Sequence, residues 1–109
     1  MFKYEKNSVI VVHFIEDEQL QDPEPLRKFL REILAEGNTK LLIDLGNVTY
    51  ISSSVLGILI TTYQELKQIN GDLKLLNIQP GVSNLFKITR LDRIIEIYHD
   101  ENAAIKSFG

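Results

Sequence analysis

The chain has no cysteine and no tryptophan, one methionine and three prolines among its 109 residues. Without cysteine there is no disulfide framework, no thiolate metal site and no cysteine nucleophile, and the composition fits a reducing compartment. Positive charge is scarce too. Twelve Lys and Arg against 15 Asp and Glu give a net charge of −3, so the chain offers no basic footprint for nucleic acid or an anionic membrane. No apolar run approaches the roughly 20 residues that span a bilayer. The opening Met1-Phe-Lys-Tyr-Glu-Lys6 contains no apolar segment of secretory type. These absences lead to the expectation of a cytoplasmic protein without membrane insertion.

Catalytic sets are also missing. The two histidines, His13 and His99, lie at opposite ends of the chain, and no Ser-His-Asp arrangement or pair of carboxylates on one element is legible. Glycines fall at turns and helix ends, and none forms a phosphate-cradling loop. Glu16, Asp17, Glu18, Asp22 and Glu24 crowd into one stretch, but they lack calcium-loop spacing and read as a solvated acidic loop. No enzyme activity, metal or cofactor is expected.

What is present is an ordinary globular composition, 44% hydrophobic and 25% charged, enough for one domain over residues 1–109. Ser8 to Phe14 alternates and is β-branched, with residues 2 to 5 as a partner strand across a Lys6-Asn7 turn. After an acidic loop from Glu16 to Pro25, Asp22 reads as a helix cap with Pro23 at the first helical position. Leu26, Phe29, Leu30, Ile33 and Leu34 recur at helical spacing until Gly37. Lys40 to Leu45 reads as a buried strand, and a second helix runs from Ser53 or Ser54 to Ile69. A strand over Leu73–Asn77, a helix from Pro80 to about Ile88 and a strand over Ile94–Tyr98 follow. A terminal helix capped by Asp100 or Asn102 runs to Phe108. The expected fold is α/β, a mixed sheet of about five strands covered by about four helices, in the order ββαβαβαβα.

Attention falls on Leu41 to Ile60, where an apolar strand ends in a turn and Ser52, Ser53 and Ser54 open an apolar helix. Hydroxyls at a helix start lie beside unpaired backbone N–H groups, where a cap or a negative group is favoured. Asp44, just before the turn, is placed to accept backbone hydrogen bonds there. Along the helix, Val55, Leu59, Thr62, Leu66 and Ile69 make the core face, flanked by Leu56 and Tyr63. The opposite stripe runs Ser54, Ile58, Thr61, Glu65 and Gln68. Its polar members mark it as exposed, so an exposed Ile58 beside Ser54 is expected to form a docking spot.

The stretch Ile43-Asp-Leu-Gly-Asn-Val-Thr-Tyr-Ile-Ser-Ser-Ser-Val-Leu-Gly57 resembles the signature of STAS domains, the bacterial anti-sigma factor antagonists. Leu73 to Tyr98 resembles the family's closing half, and Glu101 to Phe108 its terminal helix. The resemblance implies a module that binds an anti-sigma factor, itself a serine kinase, and so frees a sigma factor. The kinase would then phosphorylate a serine at the helix start, and a phosphatase would reset the cycle. Ser54 matches the family's phosphoserine and Ser53 the serine before it. Ser52, Ser53, Ser54, Val55 and Ile58 would form the partner contact. Ser52 stands where the family often has aspartate, Val55 where it often has glycine, and Glu16 to Gln19 where it often reads Gly-x-Leu-Asp. The alternative is a STAS subunit of a transport or signalling complex that works without phosphorylation. A receiver-type phosphoacceptor is disfavoured, because no lysine lies in Ile94–Tyr98 and the acidic loop follows the wrong strand.

Overall fold

A computed structural model describes residues 1–14 and 22–109. Its elements are β1 (Phe2–Lys6), β2 (Val9–His13), α1 (Glu24–Ala35), β3 (Lys40–Asp44), α2 (Ser53–Gln68), β4 (Asp72–Leu76), α3 (Pro80–Ile88), β5 (Ile97–Tyr98) and α4 (Glu101–Ser107). The strands form one mixed sheet in the order β1-β2-β3-β4-β5, with β1 antiparallel to β2 and every other pair parallel. The expected element order and architecture are therefore observed.

Strand alternation divides the interior into two layers. Ile10, Val12, Leu41, Ile43, Leu73 and Leu75 point to one face and pack with Leu30 and Ile33 of α1, Leu59 and Leu66 of α2 and Phe86 of α3. Val9, Val11, Leu42 and Leu76 point to the other face, beneath Ala104 and Ile105 of α4. Because the central strands are covered on both sides, they read as continuous apolar runs. Lys74 is buried on the α4 face. Its ammonium donates to the Ser107 carbonyl (3.1 Å) and hydroxyl (2.8 Å), pairs with Glu96 at 2.9 Å and lies over the rings of Phe108 and Tyr98.

Several boundaries differ from expectation for local reasons. The hairpin turns at Asn7-Ser8, one residue later than expected, with φ of 53° and 67°, the left-handed pair that a two-residue turn demands. Helix α1 starts at Glu24, with Pro23 in the cap position. Asp22 still serves the helix start, its carboxylate accepting the Glu24 N–H at 3.1 Å. Gly37 ends α1 with φ of +90°, as its position suggested. The expected strand over Ile94–Tyr98 shrinks to Ile97–Tyr98. Arg90 takes a left-handed φ of 61°, and the N–H groups of Arg93, Ile94 and Ile95 bond back to Arg90 and Leu91, so this backbone is committed to a 3₁₀ turn. Ile69, expected in the core, is exposed, because α2 ends one residue before it. Most of the acidic cluster, including Glu16 to Gln19, lies outside the described residues.

Candidate functional site

The segment from Asp44 to Ser53 is held by its own polar groups and two apolar anchors. The Asp44 carboxylate accepts the Gly46 N–H at 2.8 Å, which is the turn role expected of it. Asn47 donates to the Phe14 carbonyl at 3.1 Å, and Gln79, just before α3, donates to the Gly46 carbonyl at 2.6 Å. Val48 and Ile51 are buried, so the loop is pinned while Thr49 and Tyr50 between them are exposed. Helix α3 approaches closely at Gly81, where a Cβ would come within 3.0 Å of the Thr49 carbonyl oxygen.

Helix α2 then starts with its three serines in different roles. Ser52 is the N-cap, extended at φ −77° and ψ 165°, and its hydroxyl accepts the Val55 N–H at 3.2 Å. Ser53 and Ser54 occupy the first two helical positions and are exposed. Their N–H groups have no carbonyl within the helix to bond. The first turn contains no acidic residue, so the positive end of the helix dipole is not offset from within the helix.

Two of the five expected contact residues are not on the surface. Val55 is fully buried and Ile58 is 5% exposed, both within the main core. Of the stripe expected to face solvent, Ser54, Thr61 and Gln68 are exposed, Glu65 is half-buried against α1 and Ile58 is buried. Glu65, one of its polar members, accepts two hydrogen bonds from the Arg31 guanidinium of α1, at 2.5 and 2.7 Å. Ile58 lies two turns before Glu65 on that stripe and fills the interior. The expectation of an exposed Ile58 beside Ser54 is thus corrected.

The exposed apolar surface lies on the other side of the serines. A cleft of about 580 Å³ opens between the β3–α2 loop and α3, lined by Tyr50, Ser53, Leu56, Leu85 and Ile88 among others, with no charged side chain in its wall among the described residues. Tyr50 is 74% exposed and Ile88 81% exposed. Ser53 lines this cleft, and Ser54 follows it at the helix start. Sequence reasoning missed Tyr50 and Ile88. The only signal was a large apolar residue on each of two segments that approach only in the fold.

His13, at the end of β2, contacts β1 and the end of β3. Its ring stacks between Phe2 and Tyr4, Nδ1 lies 3.1 Å from the Asp44 carboxylate and Nε2 lies 3.2 Å from the Tyr4 hydroxyl. The Tyr4 hydroxyl donates to Glu101 at 2.6 Å. Burial first, then the Glu101 hydrogen bond and the charges of Glu101 and Asp44, push the Tyr4 phenol up to about 12. No group of three or more metal-ligating side chains occurs among the described residues, and no helix among them is long and apolar enough to cross a membrane.

Residues 3–104 match the STAS domain family. The chain is 29% identical over 85 residues to BtrV of Bordetella bronchiseptica, assigned as an anti-sigma factor antagonist, a match covering 78% of this chain and 73% of that protein. It is 41% identical over 64 residues to the anti-sigma-B factor antagonist of Bacillus subtilis, covering 59% of each chain. The fold superposes on phosphorylated SpoIIAA of Bacillus with a TM-score of 0.75 at 18% identity, over 97% of this chain and 96% of that one. With the signature turn, the serine-capped α2 and the five-stranded sheet all in place, the chain belongs to the STAS domain family.

Proposed function

We propose that this chain is an anti-sigma factor antagonist that works by protein–protein contact rather than catalysis, in the cytoplasm, and that phosphorylation at the start of α2 switches it off. Ser54 is the acceptor of choice and Ser53 the second. The partner is an anti-sigma factor of serine-kinase type, and a phosphatase resets the cycle.

The observation that carries the proposal is the placement of exposed Ser53 in the wall of an apolar cleft, with exposed Ser54 next to it, at the start of a helix whose first turn has no acidic residue. A partner that covers Tyr50 and Ile88 would also cover this helix start. A phosphate there would bring roughly −1.5 to −2 charges to a surface that otherwise has none in its wall. The helix terminus tolerates that charge, so the domain stays folded. The partner would have to desolvate it, so the complex weakens. The family relationship supports the partner class, as do the relatives named as anti-sigma factor antagonists. SpoIIAA, which shares the fold, has a solved phosphorylated form. Of the five contact residues expected from the sequence, Ser52, Ser53 and Ser54 are retained. Tyr50 and Ile88 replace Val55 and Ile58.

The test is to capture the tagged protein from lysate of its own organism and fragment the tryptic peptide Leu41–Lys67, which holds all three serines. Phosphate on Ser54, with a copurifying anti-sigma factor of kinase type, is the expected result. An unmodified peptide that copurifies with a transporter ATPase or a large signalling assembly would overturn the proposal in favour of a STAS subunit that is not switched by phosphate.

A further inference from the structure

We infer that the outer edge of β1 is a self-association surface, on which a second copy of this chain pairs antiparallel about Tyr4 and extends the sheet across the two molecules. β1 is an edge strand, and among the described residues nothing pairs with its outer side. All five of its residues are exposed, and Phe2 and Tyr4 are among the few large apolar residues on the surface, at 50% and 37% exposure.

The register of the hairpin fixes which backbone groups are free. The two-residue turn at Asn7-Ser8 makes Lys6 and Val9 a hydrogen-bonded pair. In an antiparallel ladder such pairs alternate with non-bonded ones, so Phe2, Tyr4 and Lys6 spend their N–H and C=O groups on β2. Lys3 and Glu5 direct theirs outward. A neighbour must therefore bond to Lys3 and Glu5, and a second β1 offers the same two residues.

Charge then selects one register. With the two-fold axis at Tyr4, Lys3 faces Glu5 of the second copy and Glu5 faces its Lys3. Both are hydrogen-bonded pairs with opposite charges directly across from each other, which is the favourable arrangement. Phe2 meets Lys6 of the other copy, and the two Tyr4 residues meet at the centre. Moving the axis to Lys3 sets lysine against lysine, and moving it to Glu5 sets glutamate against glutamate. Charged residues on an edge normally deter pairing; this alternation deters every neighbouring register and leaves one. Lys3 already pairs with Glu36, at the end of α1, at 3.2 Å, which places its ammonium on the face covered by α1 to α3. Strand alternation puts Glu5 on that face as well. Pairing about a two-fold axis perpendicular to the sheet keeps α1 to α3 of both copies on one side. The α2 start lies after β3, inward from this edge, so a dimer would present two copies of the candidate site and bind a clustered partner with avidity.

The test is light scattering or sedimentation of the full chain over a wide concentration range. The wild type should rise from 12.5 kDa towards twice that mass as concentration increases. Lys3→Glu alone and Glu5→Lys alone should each raise the dissociation constant roughly tenfold or more, since each sets like charges against one another twice. An equimolar mixture of the two variants should recover the dimer, because every facing pair is again opposite in sign. The chain that carries both substitutions should recover it by itself. A wild type that stays at 12.5 kDa up to millimolar concentration would overturn the inference. So would a dimer indifferent to Lys3→Glu, or a mixture of folded variants that fails to re-associate.

Discussion

The Ser52 hydroxyl accepts the Val55 N–H at 3.2 Å, so the first of three consecutive serines is committed to capping α2 while Ser53 and Ser54 remain exposed. The neighbours should therefore differ sharply on truncation. Ser52→Ala removes a helix cap and should cost about 1 kcal/mol, whereas Ser54→Ala should stay within about 0.5 kcal/mol. Urea midpoints for the two variants check this. Equal midpoints would show that the cap hydrogen bond adds nothing to stability.

Ile58 and Leu59 lie on different sides of α2, yet both are buried. Leu59→Ala and Ile58→Ala should each destabilise by about 2–5 kcal/mol. If Ile58 were a surface residue, its truncation would stay within about 0.5 kcal/mol, so denaturant unfolding separates the two placements. Ile58→Glu would bury an unpaired carboxylate and should prevent folding, which disqualifies it as a probe of partner contact.

The error over Ile58 shows where sequence patterning stops. Asp22 and Asp100 act at helix starts through their carboxylates, and Gly37 and Pro80 at helix ends through their backbone, so short-range signals place them within a residue. The serine cap was legible for the same reason. Glu65 was not, because a carboxylate on a helix marks solvent only if nothing charged approaches, and Arg31 of α1 does. The shortened β5 was hidden because Ile94–Tyr98 suits a strand by composition. The left-handed Arg90 that diverts the backbone into a 3₁₀ turn leaves no such mark. The apolar cleft was illegible because it is assembled from two segments, Thr49–Leu56 and Gly81–Thr89, which β4 separates in the chain.

Tyr50 and Ile88 offer a cleaner probe of the proposed partner surface. Both side chains project from the fold, so Tyr50→Ala and Ile88→Lys should change stability by no more than about 0.5 kcal/mol. Each should weaken the complex with the anti-sigma factor by about tenfold or more, as expected of a large apolar anchor at an interface. Calorimetric titration of folded variants against the captured partner measures this. Unchanged affinity in both would move the contact away from the cleft.

Lys74 and Glu96 give the fold an acid-sensitive tie beneath α4. The hydrogen bond from the Lys74 ammonium holds the Glu96 carboxyl below its ordinary value of 4.5, against the opposing effect of burial. A carboxyl with a lower value in the folded chain than in the unfolded one stabilises the fold above about 4.5. That stability is lost as pH falls through the folded value. Glu96 is largely exposed, so solvent screens the pair and the effect on the whole fold is modest. Glu96→Gln should lower stability near neutrality by the same modest amount that the wild type loses in acid, and flatten the decline of the urea midpoint as pH falls below about 4.5. Lys74→Met should flatten the same limb but also cost about 1–3 kcal/mol at neutral pH, because the Ser107 carbonyl and hydroxyl lose the ammonium that donates to them. Midpoints measured against pH for the three proteins separate the two contributions. An acid limb in Glu96→Gln as steep as the wild type would place the acid sensitivity on other carboxylates.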